Sequence, residues 1–273
     1  MIDQATRDYA KEGDGYYDEY WSGATGWKPP EGLDDDLRQW LDPLLVRGHT
    51  VLDVGCGDGA RYGARLHDSG LTVHGVDISS VAVAEARKRG IDARVACLDS
   101  GLPYPDASFD AVICLEVLEH LVNPEAVARE IRRVLKPGGH AALAVWDTRE
   151  RNIWAQIPTA ALVELGHAEP PDPDVPGPFS LAEDGRLAEL LDDAGFVDVE
   201  VVPVNLERHY ASAQDIVAES VNCSPSFGVK WHELTEAQQD EVANRMIAAV
   251  APYSAPDGSV TLPGVSLVAR ASA

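Results

Sequence analysis

Residues 51–59 read Val-Leu-Asp-Val-Gly-Cys-Gly-Asp-Gly, and this run limits the possible folds more than any other. Val51 to Val54 form a short apolar segment of the kind buried inside a parallel sheet. Three glycines at alternate positions then demand a tight turn, and a helical run is expected from Ala60. Glycine suits such a turn because it tolerates positive φ and lets a ligand come close to the backbone. In an open α/β sheet, ligands bind beyond the carboxyl ends of the strands. Gly55, Gly57 and Ala60 also satisfy the G-x-G-x-x-G/A dinucleotide pattern, so the run does not name its ligand. Charge favours one side. Asp53 and Asp58 would repel a pyrophosphate, whereas they suit a ligand bearing an ammonium and a sulfonium.

Downstream residues repeat the strand–helix unit. Strands are expected at 50–54, 71–76, 92–97, 109–114 and 140–146. Helices are expected at 60–68, from Ser79 or Ser80 to Gly90, and from Asn123-Pro124 to the Lys136-Pro137-Gly138-Gly139 stop. Proline at a first helical position and basic residues in a last turn both match helix ends. Such alternation implies a parallel sheet with helices on both faces. Residues 147–178 break the pattern. Their five prolines between Pro170 and Pro178 favour an extended cover loop. Ser180 and Glu183 have the spacing of a capping box, and a helix with Leu187, Leu190 and Leu191 buried should follow. A sixth strand is expected at 196–204. A helical insertion should occupy 211–258, with a second capping box at Thr235 and Gln238. A last strand in 259–273 can enter the sheet antiparallel beside the sixth. Before the sheet, 1–48 read as an N-terminal arm, rich in aromatics, and an amphipathic helix beginning at Leu33. Thus 49–146 and 179–210 form the core.

Three strands end in a carboxylate: Asp53, Asp77 and Asp99. Parallel strands share one carboxyl edge, so the three acids should open onto one crevice. Asp77 is placed to accept from both hydroxyls of a ribose. Ile78 could pack on an adenine face. Asp99 could accept from the adenine amino group, with the Leu98 N–H reading the ring. A nicotinamide site needs the acid after the second strand but not the one after the third.

These segments resemble the class I S-adenosylmethionine (SAM)-dependent methyltransferases, in the small-molecule group similar to ubiquinone and menaquinone biosynthesis methyltransferases. The likeness rests on 51–59, 75–79, 97–99, 108–121 and 134–139, and more loosely on 179–270. It implies a Rossmann-like α/β fold: a seven-stranded, mostly parallel sheet with an antiparallel last strand, helices on both faces and a helical insertion before that strand. It also implies SAM as cofactor. Gly55, Cys56 and Gly57 would lie along its methionine part, Asp77 and Ile78 along its ribose and adenine, Leu98 and Asp99 at the adenine, and the Leu115 backbone at its amino group. Residues 116–120 would border the acceptor. His120 is the one histidine on this edge, expected one helical turn past Glu116, and is the candidate base. Tyr16, Tyr17, Tyr20 and Trp21 are candidates for a lid or an acceptor surface. An NAD-dependent oxidoreductase and a non-catalytic SAM-binding protein remain the alternatives.

Composition narrows the partners. The chain has 273 residues and a formal charge of −23, which argues against nucleic acid and anionic membranes. On charge alone a protein substrate or a neutral small molecule stays open; the resemblance implies a small-molecule acceptor. The four cysteines form no zinc-like spacing, and reduced thiols and a cytoplasmic location are expected. No metal is expected. The oligomeric state is not legible from the sequence.

Overall fold

The computed structural model describes residues 15, 17, 18, 20–22, 35–170 and 177–273. Tyr16, most of the N-terminal arm and the proline-rich 171–176 lie outside the described residues.

Seven strands form one sheet: β1 (Thr50–Val54), β2 (Thr72–Asp77), β3 (Asp92–Val95), β4 (Phe109–Leu115), β5 (Leu135–Trp146), β6 (Val197–Tyr210) and β7 (Val260–Ser272). Their order is β3-β2-β1-β4-β5-β7-β6. The first five strands are mutually parallel, and β7 runs antiparallel between β5 and β6. This is the expected Rossmann-like arrangement, and it puts the strand order's reversal between β1 and β4, where a crevice opens past the carboxyl ends. Both faces are covered. Helices Pro124–Val134 and Arg186–Asp193 bury Val127, Ile131, Leu187, Leu190 and Leu191 against one face. Leu37, Leu41, Leu66, Val83 and Ala86, from the helices at Asp35–Leu41, Gly63–Asp68 and Ser80–Lys88, cover the other. Strands covered on two sides explain the unbroken apolar runs of β1 and β4.

The structure departs from expectation where backbone contacts override local pattern. Ala60 to Tyr62 form a turn, and the helix begins only at Gly63. Strand β3 stops at Val95. Strand β5 begins at Leu135, and its register against β4 shifts at Phe109/Ala111 to absorb the Pro-Gly-Gly segment. Strand β6 runs six residues past Val204. Its polar outer side hid it: Val204 and Leu206 are buried, while Asn205, Glu207 and His209 point outward with the period of two of a one-sided strand. Ser180 caps nothing. Its hydroxyl donates to the Glu119 carbonyl at 2.8 Å, and the helix starts at Arg186 after Gly185, which has φ +80°.

The 147–178 segment is not simply loop. Ile153–Glu164 is a helix, despite Pro158. Ile157, Ala161 and Leu162 pack with Val242, Met246 and Val250 of helix Glu236–Val250 and with Val260 and Leu262 of β7. This segment and the insertion therefore share a small core of their own, beyond the sheet's carboxyl edge. Helix Glu236–Val250 opens with the expected Thr235/Gln238 capping box, and helix Ala213–Cys223 with one at Ser212/Asp215.

Candidate active site

Glycine turn and first acids. Gly55, Gly57 and Gly59 have φ of +76°, +53° and +73°, so the turn uses the freedom that only glycine supplies cheaply. A Cβ on Gly55 would lie 2.3 Å from Val117 Cγ2, and one on Gly57 would lie 2.5 Å from the Trp21 ring. Five N–H groups of the turn are spent internally. Gly55 and Cys56 donate to the Val76 carbonyl, Gly57 to Asp77 Oδ2 at 2.8 Å, Gly59 to the Cys56 carbonyl and Ala60 to Asp58 Oδ1. What these residues can still offer a ligand is carbonyl oxygen, an acceptor.

Asp77 accepts from Gly57 N at Oδ2 and from Ser79 N at Oδ1, 2.9 Å. A carboxylate has about four acceptor positions, and these two bonds take one on each oxygen, with the Ile78 N–H also favouring the charge. Asp53 is 4% exposed. Burial, then the negative charge of Asp77, pushes its carboxyl up to about 7, with Arg61 partly opposing. Burial likewise raises Asp77, against the hydrogen bonds it accepts. Two acids held this way favour a positive neighbour. Asp58 is not part of that pair: Arg89 holds its carboxylate at 3.0 Å and also donates to its carbonyl. The carboxylates that favour a cationic ligand are thus Asp53 and Asp77, not Asp53 and Asp58.

Cys56 is buried against Gly75, and its thiol is pushed far up by burial and by the nearby acids. Cys56, Cys97 and Cys114 are free thiols. Among the described residues, no group of histidine, cysteine and acidic side chains could hold a metal ion, and no helix is long and apolar enough to cross a membrane.

Further along the edge, Leu98 is buried in a 3-10 turn, Leu98–Ser100, and Asp99 is exposed beside it. Ile78 follows Asp77 at the same edge and is partly buried. Leu115 ends β4. The segment after it is not the α-turn that the sequence suggested. Glu116 has φ +59°, and Leu118–His120 form a 3-10 turn. His120 still lies within the influence of Glu116, and burial pushes its imidazole below the usual range against that influence.

Arg61 forms a two-pronged contact with Glu116, at 2.8 and 3.3 Å. Glu119 is fully buried, neither carboxylate oxygen has a hydrogen-bond partner, and burial holds its carboxyl well above the ordinary range. No sequence signal beyond its place next to His120 marked it.

The described N-terminal residues lie against the glycine turn and the start of helix Ser80–Lys88. Asp18 accepts from Ser79 Oγ at 2.7 Å, from Ser80 Oγ at 3.0 Å and from Val81 N at 3.2 Å, at the start of helix Ser80–Lys88. These hydrogen bonds hold its carboxyl below the usual range. Trp21 lies against Gly57, and its ring meets Tyr20 edge-on at 5.0 Å. Tyr17 and Tyr20 are partly buried. Asp18 was not among the expected residues, because a lone acid in a polar arm carries no pattern.

Of the aromatics in the variable regions, Trp231 packs on Phe227 in the insertion core. Phe179 instead packs on the sheet face that ends in Leu115 and Trp146, and Trp154 packs on both that face and the insertion core.

Residues 52–143 match the family model described as a methyltransferase domain. That match covers about a third of the chain. The domain's curated relatives include the methyltransferase GfsG of Streptomyces halstedii, 36% identical over 136 residues, which are 46% of this chain and 48% of that protein. They also include a ubiquinone biosynthesis O-methyltransferase of Pseudomonas paraeruginosa, 33% identical over 132 residues, 46% of this chain and 56% of the relative. The chain spans about half the length of these curated relatives. In fold, the chain resembles phosphoethanolamine N-methyltransferase 2 of Haemonchus contortus, solved with phosphomonomethylethanolamine and S-adenosylhomocysteine. That likeness has a TM-score of 0.54 at 19% identity and covers 98% of this chain and 60% of that one.

Proposed function

We propose that this chain is a SAM-dependent methyltransferase acting on a small-molecule acceptor. The observation that carries the reading is the glycine turn, five of whose N–H groups are already bonded within the protein. A pyrophosphate needs free N–H donors at that place. An ammonium needs carbonyls and carboxylates, and the turn leaves those. The remaining acceptor positions on Asp77 match ribose hydroxyls, and Asp53 with Asp77 forms an acidic pair that a sulfonium and an ammonium would relieve. The residues therefore fit SAM, with Gly55, Cys56 and Gly57 at its methionine part, Asp77 and Ile78 at the ribose side, Leu98 and Asp99 at the adenine and Leu115 at the amino group.

When bound, SAM supplies a methyl group on an activated sulfur leaving group. The protein's part is to exclude water and hold the acceptor in line. Glu116, fixed by Arg61, and His120 border the place where the acceptor enters. His120, kept neutral by burial, is the candidate to take the acceptor's proton. The O-methyltransferases among the relatives support an oxygen acceptor. Calorimetry with S-adenosylhomocysteine and with NAD, followed by turnover of labelled SAM with a panel of phenols, tests the proposal. Tight NAD binding, or no binding of S-adenosylhomocysteine, would overturn it.

Tyr17, Tyr20 and Trp21 act in this reading as a lid anchored by Asp18. Trp21→Ala is expected to weaken S-adenosylhomocysteine binding about 2- to 10-fold, the scale of losing one aromatic contact of ~0.5–1.5 kcal/mol. Unchanged affinity by calorimetry would leave Trp21 a packing residue only.

A further inference from the structure

Six residues of β6 beyond Val204 pair with β7 from Val265 back to Val260, so the two strands form an arm that projects past the level of Trp146, the last residue of β5. On this arm, Val204 and Leu206 face the sheet side that carries Leu115 and Trp146. Arg208 follows with the period of two and faces the same way. Its guanidinium carbon lies 4.2 Å from the centre of the Trp154 ring and 5.8 Å from that of Trp146, and those two rings meet edge-on at 4.8 Å. Phe179 packs on the same side.

The charge is held in a partly dry place. The Arg208 side chain is 26% exposed, and Nη2 donates to Glu219 of helix Ala213–Cys223 at 2.6 Å. Burial opposes the charge, while Glu219, Tyr210 and Glu116 favour it and Arg61 opposes it. Trp146 ends β5 on the same carboxyl edge as Leu115, which Glu116 follows, so a guanidinium over the Trp146 ring faces the acceptor edge proposed above. A guanidinium has five N–H donors, and Glu219 with the neighbouring Tyr210 hydroxyl does not use them all. An arginine on aromatic faces, with donors to spare, matches a planar anion well. Nothing in the overall charge of −23 favours placing it there.

We propose that Arg208 is the specificity residue of the acceptor site and that the acceptor is a planar, aromatic molecule bearing a carboxylate. Its carboxylate takes the spare donors of Arg208, and its ring lies beside the partly buried Trp154 and Phe179. This rests on the methyltransferase reading, and it names the acceptor class that the reading left open.

The test uses the full chain saturated with S-adenosylhomocysteine. Two probes differ only in charge: 4-hydroxybenzoate and its methyl ester. Wild-type protein is expected to bind the acid at least tenfold more tightly by calorimetry. Arg208→Met is expected to abolish that preference, Arg208→Lys to retain part of it, and Glu219→Gln, which frees the guanidinium, to strengthen it. Circular dichroism melting checks that each variant is folded, and Arg208→Lys and Glu219→Gln carry the test if Arg208→Met is not. Equal binding of the two probes by wild type, binding of neither, or a preference unaltered by the substitutions overturns the proposal. The saturation step keeps the two readings apart: failure to bind S-adenosylhomocysteine sinks the cofactor assignment, whereas its binding without acid preference sinks only this one.

Discussion

Asp77→Ala is expected to weaken S-adenosylhomocysteine binding roughly a hundredfold or more. Asp77 has two roles that the substitution removes together. Its oxygens accept from Gly57 N and Ser79 N and so join the glycine turn to the start of helix Ser80–Lys88. Its remaining acceptor positions are those assigned to the two ribose hydroxyls. A hydrogen bond to a charged acceptor contributes about 1.5–3 kcal/mol, so losing two costs ~3 kcal/mol or more, and about 1.4 kcal/mol is a tenfold change in affinity. Fold stability should change less. The carboxylate is buried, and burial already works against its charge, so its removal relieves a cost while it breaks the two backbone contacts. Calorimetry at neutral pH measures the first effect and urea denaturation the second. An affinity within threefold of wild type would remove Asp77 from the ribose.

The parts of this site that could be read from the residues are those set by short-range rules. Glycine at positive φ, a buried four-residue strand and an acid closing it are local demands, and 51–59 and 72–77 state them directly. The turn's own hydrogen bonds were not legible. They decide between carbonyl and N–H at the ligand, and they depend on Val76 and Asp77 arriving from the next strand. Asp58 shows the same limit. Its position beside the glycines suggested a ligand-facing charge, but Arg89, thirty-one residues on, takes it.

The acceptor side was hidden for a related reason. Arg208 lies on a strand whose outer side is polar, so alternation of burial, not apolarity, marks it. Trp146 and Trp154 meet across a segment that its prolines made look extended, and Ile153–Glu164 is helical because the insertion core covers it. Arg61 and Glu116 are fifty-five residues apart. No spacing rule connects such pairs. Ser180 satisfied a capping pattern and still went elsewhere, because the Glu119 carbonyl was within reach of its hydroxyl.

Asp53→Asn is expected to remove a pH dependence from both stability and cofactor choice. In the folded protein burial, and then the charge of Asp77, push the Asp53 carboxyl up from its ordinary 3.8 to about 7. Between those values the folded chain keeps a proton that the unfolded chain has released. Stability is therefore fully present below about pH 4 and falls as the pH rises through 7. A shift of this size corresponds to about 4 kcal/mol at most, at ~1.4 kcal/mol for each pH unit. Urea midpoints of the ligand-free protein at pH 5 and pH 8 should differ for wild type and much less for Asp53→Asn. Above pH 7 the ionised carboxylate awaits a positive partner, and SAM has a sulfonium that S-adenosylhomocysteine lacks. The affinity ratio of SAM to S-adenosylhomocysteine should thus rise between pH 6 and pH 8 in wild type and stay level in the variant. A level ratio in wild type would mean that Asp53 does not sense the sulfur, and its carboxyl would then be a structural group of the turn alone.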